Sequence, residues 1–190
     1  MKKKKLQISI KIVTGLHIGV GSDRPEIGGI DNPFIKDPVS TLPYIPGSSL
    51  KGKLRCLLET ESDNYKGEGD PQILKFFGGD EDSPTRLIFR DVSLSEEDAD
   101  KYSTGTVQTE IKTEIKIDRE KGSAAPGALR TIERITPGTV FSGELLIRYQ
   151  DETELKEIEK MIEESFDLLN NDYLGGSGSR GYGAVEVTLN

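Results

Sequence analysis

TVFSGELLIRYQDETELKEIEKMIEESFDLLNNDYLGGSGSRGYGAVEVTL, residues 139–189, contains the unit that decides the fold class. Residues 139–149 follow a Pro-Gly turn and predict a strand. Residues 153–170 carry apolar side chains at helical spacing with acids between them, which predicts an amphipathic helix. After a glycine-rich run, residues 184–189 alternate between apolar and polar and predict a last strand. The stretch therefore predicts strand, helix, strand.

A similar unit precedes it. Residues 6–13 alternate and predict a half-buried strand. Pro46-Gly-Ser-Ser49 predicts a helix with an N-cap serine, and leucines follow at helical spacing. Residues 86–92 predict a further strand. The order strand, helix, strand, strand, helix, strand is the split βαβ pattern.

This order predicts an α+β, ferredoxin-like (RRM-like) fold, with an antiparallel sheet, two helices on one face and the other face open. Open sheet faces of this type often receive single-stranded RNA. A fold alone does not establish that use.

The 190 residues contain 34% hydrophobic residues, which predicts one domain over residues 1–190 with a single core. Three segments fall outside the pattern. Residues 19–44 form a long loop, of a length that is usually functional or disordered. Residues 59–84 form an acidic segment with one short apolar piece at residues 73–77, and the segment is predicted to be surface structure or a small insert. Residues 106–134 form a polar excursion from the core.

Composition excludes several classes of function. The single cysteine, Cys56, excludes an intramolecular disulfide and a cysteine-based zinc site, and it fits a reducing, cytoplasmic location. The single histidine, His17, excludes a nuclease that uses two histidines as acid and base. We expect no signal peptide and no membrane partner, because residues 6–13 are short and interrupted and no segment is long enough to span a bilayer.

The net charge of −8 is typical of an ordinary acidic protein, but its distribution is uneven. Residues 59–82 carry a net −6 and residues 151–172 a net −7, so the rest of the chain carries +5. Binding to a nucleic acid requires a basic face rather than a basic average. The charge therefore leaves both interpretations open.

The run LGGSGSRGYG, residues 174–183, is the most unusual stretch. Three glycines match the spacing G-x-G-x-x-G, namely Gly176, Gly178 and Gly181. A dinucleotide site requires a strand before this motif and a helix after it, whereas here the predicted order is reversed. Two interpretations remain: a nest of backbone N–H groups that binds an anion with help from Arg180 and a stacking Tyr182, or a flexible loop.

Three further sites each have an ordinary structural interpretation. Lys51 and Arg55 lie four residues apart near the start of a helix, which suits a phosphate or a solvated basic face. Asp31 lies in a loop bounded by glycine and proline, where an aspartate is most often a turn former or an N-cap. His17 follows the first strand, where a packed or capping histidine is the ordinary interpretation.

Six segments together closely resemble the RAMP superfamily of CRISPR-associated proteins. They are IGGIDNP (27–33), DP (37–38), LPYIPGSSLKGKLR (42–55), KTEIKIDR (112–119), RTIER (130–134) and DYLGGSGSRGYG (172–183). Within the superfamily the chain is similar to the repeated backbone subunit of the type III-A effector complex. The chain is shorter than that subunit is expected to be, and its acidic segment around residues 79–84 is compact, which suggests a trimmed loop.

The resemblance implies that copies of the chain stack as a filament along a guide crRNA, together with other subunits of the complex. Each copy would project a thumb, here within residues 106–134, that interrupts the guide–target duplex. Single-stranded target RNA would then be cut at regular intervals beside Asp31, with the 2′-OH attacking its own phosphate. Asp31 would act as the general base or as a ligand of a divalent cation, Mg²⁺ or alternatively Mn²⁺. The implied RNA-binding residues are His17, Ser48, Ser49, Lys51, Arg55, Arg130, Gly176, Gly178, Ser179, Arg180 and Gly181.

Three alternatives stay open beside the catalytic backbone subunit. One is a non-catalytic RNA-binding scaffold of the same superfamily, in which Asp31 only shapes its loop. Another is an endonuclease that processes the guide. A third, from a different class, is a regulatory domain that binds a nucleotide through the glycine-rich run.

Overall fold

The computed structural model describes residues 1–21, 29–62, 70–78 and 84–189. Parts of the long loop (residues 22–28) and of the acidic insert (residues 63–69 and 79–83) lie outside the described residues. The elements in chain order are β1 (Lys2–Ile12), β2 (Tyr44–Ile45), α1 (Gly47–Glu61), α2 (Pro71–Phe77), β3 (Leu87–Phe89), β4 (Val92–Leu94), α3 (Glu96–Ser103), β5 (Glu110–Asp118), β6 (Ser123–Arg134), β7 (Val140–Tyr149), α4 (Glu152–Asn170), a 3₁₀ turn (Gly178–Arg180) and β8 (Val185–Leu189).

The main sheet has the order β2-β4-β7-β1-β8, with β3 also paired to β7. All of its strand pairs are antiparallel. The strand β7 therefore lies between β1 and the short strands β3 and β4, as the split βαβ pattern requires. The predicted ferredoxin-like α+β fold is confirmed.

The core lies between the sheet and the helices α1 and α4. Alternate residues of β1 are buried, Ile8, Ile10 and Ile12, and they meet the apolar stripe of α4 that includes Ile158 and Ile162. The opposite face of β1 carries lysines, some of them in exposed ion pairs. None of the helices in the described ranges is long and apolar enough to cross a membrane.

The start of α1 differs from the prediction of an N-cap serine. The N-cap position is Pro46, and no side chain caps the helix. The N–H of Gly47 instead donates to Oδ1 of Asp91 at 2.8 Å. Because Ser48 and Ser49 already lie inside the first turn, the N-cap prediction is wrong. The same aspartate interrupts the strand predicted over residues 86–92, which is divided into β3 and β4.

The acidic segment 59–84 is not surface structure throughout, because its apolar piece at residues 73–77 belongs to the core. It forms α2, capped by Asp70, whose carboxylate accepts from the N–H of Gln72 at 2.8 Å. Its side chains Ile73, Phe76 and Phe77 are buried in the main core. The sequence did not reveal this because the apolar piece is flanked by acidic residues, glycine and proline.

The polar excursion consists of a separate two-stranded antiparallel ribbon, β5 and β6, which we call the thumb. Cross-strand pairs divide its side chains between two faces. One face carries Thr113 opposite Thr131 and Ile115 opposite Leu129. The other face carries Glu114 opposite Arg130, and it is turned toward the glycine-rich run.

Candidate nucleic-acid interface

Asp31 is held at the base of the thumb by Thr131. Its Oδ2 accepts hydrogen bonds from the N–H and the hydroxyl of Thr131, at 2.6 and 2.9 Å. Its own N–H donates to the same hydroxyl oxygen at 3.0 Å. These backbone and hydroxyl donors hold the pKa of Asp31 below its usual value, so the exposed carboxylate is charged at neutral pH.

The loop that carries Asp31 is fixed to β6 by two backbone hydrogen bonds, both made by Asn32. The N–H of Asn32 donates to the carbonyl of Thr131 at 3.0 Å, and the N–H of Glu133 donates to the carbonyl of Asn32 at 2.9 Å. Asn32 thereby forms a parallel bridge with Ile132. A loop that is irregular in the sequence is therefore anchored next to Asp31.

Glu133 is a buried carboxylate that the sequence prediction missed. It accepts from the N–H of Phe34 at 2.9 Å and from the side chains of Lys36 and Thr109 at 2.5 Å each. Burial opposes its ionisation most strongly, but these three donors outweigh that effect and hold its pKa below the usual value. Glu133 thus joins the Asp31 loop to the irregular segment that leads into β5.

His17 joins the base of the thumb to the glycine-rich run. Its Nδ1 lies 2.7 Å from the carbonyl oxygen of Glu133, so Nδ1 carries the proton and donates. Its own carbonyl accepts from the N–H of Gly176 at 2.9 Å. The side chain is half-buried, and a Cβ on Gly175 would approach the His17 carbonyl oxygen to 2.3 Å.

Four backbone amides of the glycine-rich run are free to form the predicted nest. The N–H groups of residues 180–183 and of Gly176 already donate to carbonyl oxygens. In the described part of the chain, the N–H groups of Gly175 and of the consecutive residues 177–179 have no acceptor. Ser177 adopts a left-handed conformation (φ 64°) before the 3₁₀ turn, which directs successive N–H groups toward one side, as in an anion-binding nest.

A tyrosine and a lysine join this run to α1. A Cβ on Gly178 would lie 1.9 Å from the ring of Tyr173, so only glycine fits at this position. Above the same ring, 3.9 Å from its centroid, is the ammonium of Lys53, which also pairs with Asp172 at 2.8 Å. Lys53, which the prediction did not include, therefore links α1 to the two residues that immediately precede the glycine-rich run.

Lys51 and Arg55 share a face of α1 as predicted, but that face is turned toward the region of Gly78. Arg55 pairs with Glu59 at 2.7 Å and donates to the carbonyl of Gly78 at 2.9 Å. Burial, followed by the charge of Arg55, lowers the pKa of Lys51 from its usual value. Of Ser48 and Ser49, the first is exposed and the second half-buried.

Tyr182 is enclosed by the protein, so its ring is not exposed for the predicted stacking on a base. Its side chain is 1% exposed, and its hydroxyl donates to Oε1 of Glu114 at 2.7 Å. The charged groups of Lys112 and Arg134 each lie 4.4 Å from its ring centroid. Burial raises the pKa of Tyr182, and the neighbouring carboxylate raises it further. The tyrosine is enclosed because the thumb folds back over it.

Glu114 gathers the cations between the thumb and the glycine-rich run. Arg130 donates to its Oε2 at 3.0 Å, and a guanidinium nitrogen of Arg180 lies 3.6 Å from the same oxygen. Arg180 also donates to the Ser177 hydroxyl. Both arginines remain about half exposed along a cleft of about 600 Å³ lined by residues of β5, β6 and the run. This cleft brings together two of the predicted RNA-binding arginines.

Among the described residues, Asp31 has one exposed carboxylate oxygen available for a metal ion. Its Oδ2 is occupied by Thr131, whereas Oδ1 has no partner in the described ranges. No group of three His, Cys, Asp or Glu side chains in those ranges is arranged to hold a metal ion. A single oxygen fits Mg²⁺ where water or RNA oxygens complete the shell.

The residues that the sequence prediction missed are Lys53, Lys112, Glu114, Thr131, Glu133 and Arg134. The run RTIER, residues 130–134, contained a signal for three of them. On a strand its two arginines face one way, and Thr131 and Glu133 face the other. The excursion was read as only weakly alternating, so the two faces were not separated.

Comparisons with known proteins agree with this architecture. The model of the RAMP superfamily matches residues 9–186. In the solved type III-B Cmr-beta complex in its apo state, one chain superposes with a TM-score of 0.70 at 18% identity, covering 97% of this chain and 96% of that one. A chain of Cmr-beta bound to cognate target RNA gives a TM-score of 0.71 at 20% identity, covering 100% of this chain and 60% of that one. These structures show a shared fold.

Curated relatives are closer in sequence. The CRISPR endoribonuclease Csm3 of Streptococcus thermophilus is 45% identical over 194 residues, covering 96% of this chain and 86% of the relative. Csm3 of Methanocaldococcus jannaschii is 40% identical over 191 residues, covering 93% and 75%. The chain therefore belongs to the RAMP superfamily, in the family of the Csm3 subunits of type III-A CRISPR systems.

Proposed function

We propose that this chain is the repeated backbone subunit of a type III-A CRISPR effector complex. It binds guide crRNA and cuts the guide-paired target RNA at regular intervals. Its partners are further copies of itself in a filament and the other subunits of the complex. A reducing cytoplasm, where Cys56 stays a free thiol, is the compartment we propose.

The observation that carries this proposal is the position of Asp31. Its charged carboxylate lies at the base of the thumb, directly bonded to β6. The thumb's other face borders the cleft with Arg130 and Arg180. A strand held by those arginines would pass a thumb that has one carboxylate at its root, as a cut beside every thumb requires.

The chemistry we propose is attack of the ribose 2′-OH on its own 3′-phosphate. The attack forms a 2′,3′-cyclic phosphate and breaks the P–O5′ bond, and the departing 5′-oxygen takes up a proton and leaves as the 5′-hydroxyl of the next nucleotide. The protein holds the strand at a splayed nucleotide with the attacking and leaving oxygens in line. This supplies most of the rate enhancement, because the reacting groups have already lost their rotational freedom before the reaction. Asp31 takes the proton from the 2′-OH or orients the reacting groups through Oδ1. A lowered pKa makes it a weak base, and this favours the orienting role.

The enzyme is proposed to depend on a divalent cation, Mg²⁺ or Mn²⁺. Oδ1 of Asp31 would hold the ion together with RNA and water oxygens. Bound there, such an ion supplies positive charge to a phosphate oxygen. Removing divalent ions with a chelator should stop cleavage, and adding Mg²⁺ back should restore it.

The function is tested in the assembled complex, reconstituted with its other subunits, a crRNA and a labelled complementary RNA. Asp31→Asn is a more specific change than Asp31→Ala, because the amide oxygen still accepts hydrogen bonds from Thr131 while the charge is lost. We expect regularly spaced products from the native complex and none from Asp31→Asn. Guide and target binding, measured by filter binding, should stay within about twofold.

A matched control exists six residues away in the same loop. Asp37 is a half-buried aspartate whose Oδ1 accepts from the N–H groups of Val39 and Ser40 at 3.0 and 2.7 Å, which is a turn-forming role. Asp37→Asn should cut normally. Loss of RNA binding in Asp31→Asn would make Asp31 a structural residue, and undiminished cutting would favour the non-catalytic scaffold.

The nucleotide-binding alternative has less support. The glycine-rich run follows α4 and precedes β8, the reverse of what a dinucleotide-binding βαβ unit needs. Binding of ATP or NAD by the isolated chain, unaffected by RNA, would revive it.

A further inference from the structure

We propose that Thr131 is a positioning residue for target RNA cleavage, and that it directs Oδ1 of Asp31 toward the scissile phosphate. The inference rests on the proposed function. It assigns to a neutral side chain on the thumb the task of orienting the carboxylate on the loop.

The bonds between the two residues are reciprocal. The hydroxyl of Thr131 donates to Oδ2 of Asp31 at 2.9 Å and accepts from the N–H of Asp31 at 3.0 Å. The N–H of Thr131 donates to the same Oδ2 at 2.6 Å. With Oδ2 saturated by two donors, the carboxylate can rotate very little, and Oδ1 is the oxygen left to act.

Hydrogen bonds between the two backbones do not fix this orientation. The bridge between Asn32 and Ile132 places the loop against β6, but it leaves the Asp31 side chain free to rotate about its own bonds. Asp31 is exposed, so packing does not restrain it either. The Asp31 side chain is therefore restrained by the N–H and the hydroxyl of Thr131. Of these two donors, a substitution can remove only the hydroxyl.

The position of Thr131 also couples the carboxylate to the thumb. Thr131 shares a face of the ribbon with Thr113, directly across the strand pair, and with the exposed apolar pair Ile115 and Leu129. A thumb that displaces a target nucleotide with this face would carry the bond to Asp31 with it. Carboxylate and displaced strand would then move as one unit, which preserves the reacting geometry.

The test compares three variants in the assembled complex under single-turnover conditions. Thr131→Val keeps the β-branched shape and the backbone N–H but removes the hydroxyl. We expect its cleavage rate to fall about 10- to 100-fold, because a misplacement of about 1 Å can cost that much. Thr131→Ser keeps the hydroxyl and should restore the rate to within about threefold. Affinity for guide and target should not change in either variant.

Thr113→Val is the matched control. It makes the same change on the same face of the ribbon, at the residue paired with Thr131, and Thr113 is exposed. It should cut at the native rate. A thermal melt of each isolated variant shows whether the ribbon and body still fold.

The outcomes separate the two proposals. If Asp31→Asn abolishes cutting while Thr131→Val cuts within twofold of native, the positioning role is wrong and the proposed function stands. If Thr131→Val and Thr131→Ser are impaired alike, or if RNA affinity falls with the rate, Thr131 is structural and the inference is again overturned. If Asp31→Asn cuts normally, the proposed function itself fails.

Discussion

The hydroxyl of Tyr182 donates a 2.7 Å hydrogen bond to Oε1 of Glu114 and joins the glycine-rich run to the thumb. The two residues are 68 positions apart in the chain. The phenol is the largest contributor to the lowered pKa of Glu114, ahead of the bond from Arg130. The same carboxylate therefore sets the thumb against the body and holds two arginines beside the cleft.

Tyr182→Phe should loosen this junction without changing its shape. The ring stays buried, but Glu114 loses its shortest donor. Because hydrogen bonds to charged groups contribute about 1.5–3 kcal/mol, we expect the free energy of unfolding to fall by about 2 kcal/mol in urea titrations. Tyr44→Phe is the control, since the Tyr44 hydroxyl has no partner in the described ranges. Equal losses from both variants would contradict the junction.

Glu133→Gln should destabilise the protein in a pH-dependent way. The native pKa of Glu133 lies below its ordinary value of 4.5, so its charged form stabilises the fold above about pH 4.5. That contribution is lost as the pH falls through the folded-state pKa. We therefore expect the free energy of unfolding of the variant to be about 2 kcal/mol lower than that of the native protein at pH 7. This difference should shrink on acidification, as measured by denaturant titration at several pH values. A deficit that stays constant with pH would show that charge plays no part.

Gly178→Ala should be far more costly than Gly176→Ala, although the two glycines are adjacent in the G-x-G spacing. The added methyl would meet the Tyr173 ring in the first variant, whereas the nearest atom in the second, on His17, is 3.8 Å away. We expect the free energy of unfolding to fall by about 1–3 kcal/mol in Gly178→Ala and by less than about 0.5 kcal/mol in Gly176→Ala, as measured by thermal unfolding. Similar costs would mean that Tyr173 can move aside.

Arg180→Gln should weaken guide RNA binding and reduce its dependence on salt. Loss of one phosphate contact lowers the slope of log K against log salt by about 0.7 for a single strand. Arg148→Gln is the control on the open sheet face, where Arg148 is paired across the strands with Lys3. If Arg148→Gln has the larger effect, RNA lies on the open sheet face and the cleft has another role.

Local patterns predicted most of the fold. The alternation of β1 and β8 and the apolar stripe of α4 are properties of neighbouring residues, so they could be read directly. The N-cap serine failed because the partner of Gly47 is Asp91, 44 residues away, and α2 was assigned to the surface because its aromatic side chains find their core only after the sheet has formed.

The candidate site was likewise predictable only where its features are local in the sequence. The sequence by itself determined that the glycine-rich run is unusual, because composition and spacing are local, whereas the proposed roles of Asp31 and His17 came from the resemblance. Only the tertiary structure decided that Thr131 holds Asp31, that Glu114 holds Tyr182 and the arginines, and that Lys53 contacts the residues next to the run. Hydrogen bonds and ion pairs depend on distances of about 3 Å between side chains, and folding alone brings residues 68 or 100 positions apart that close.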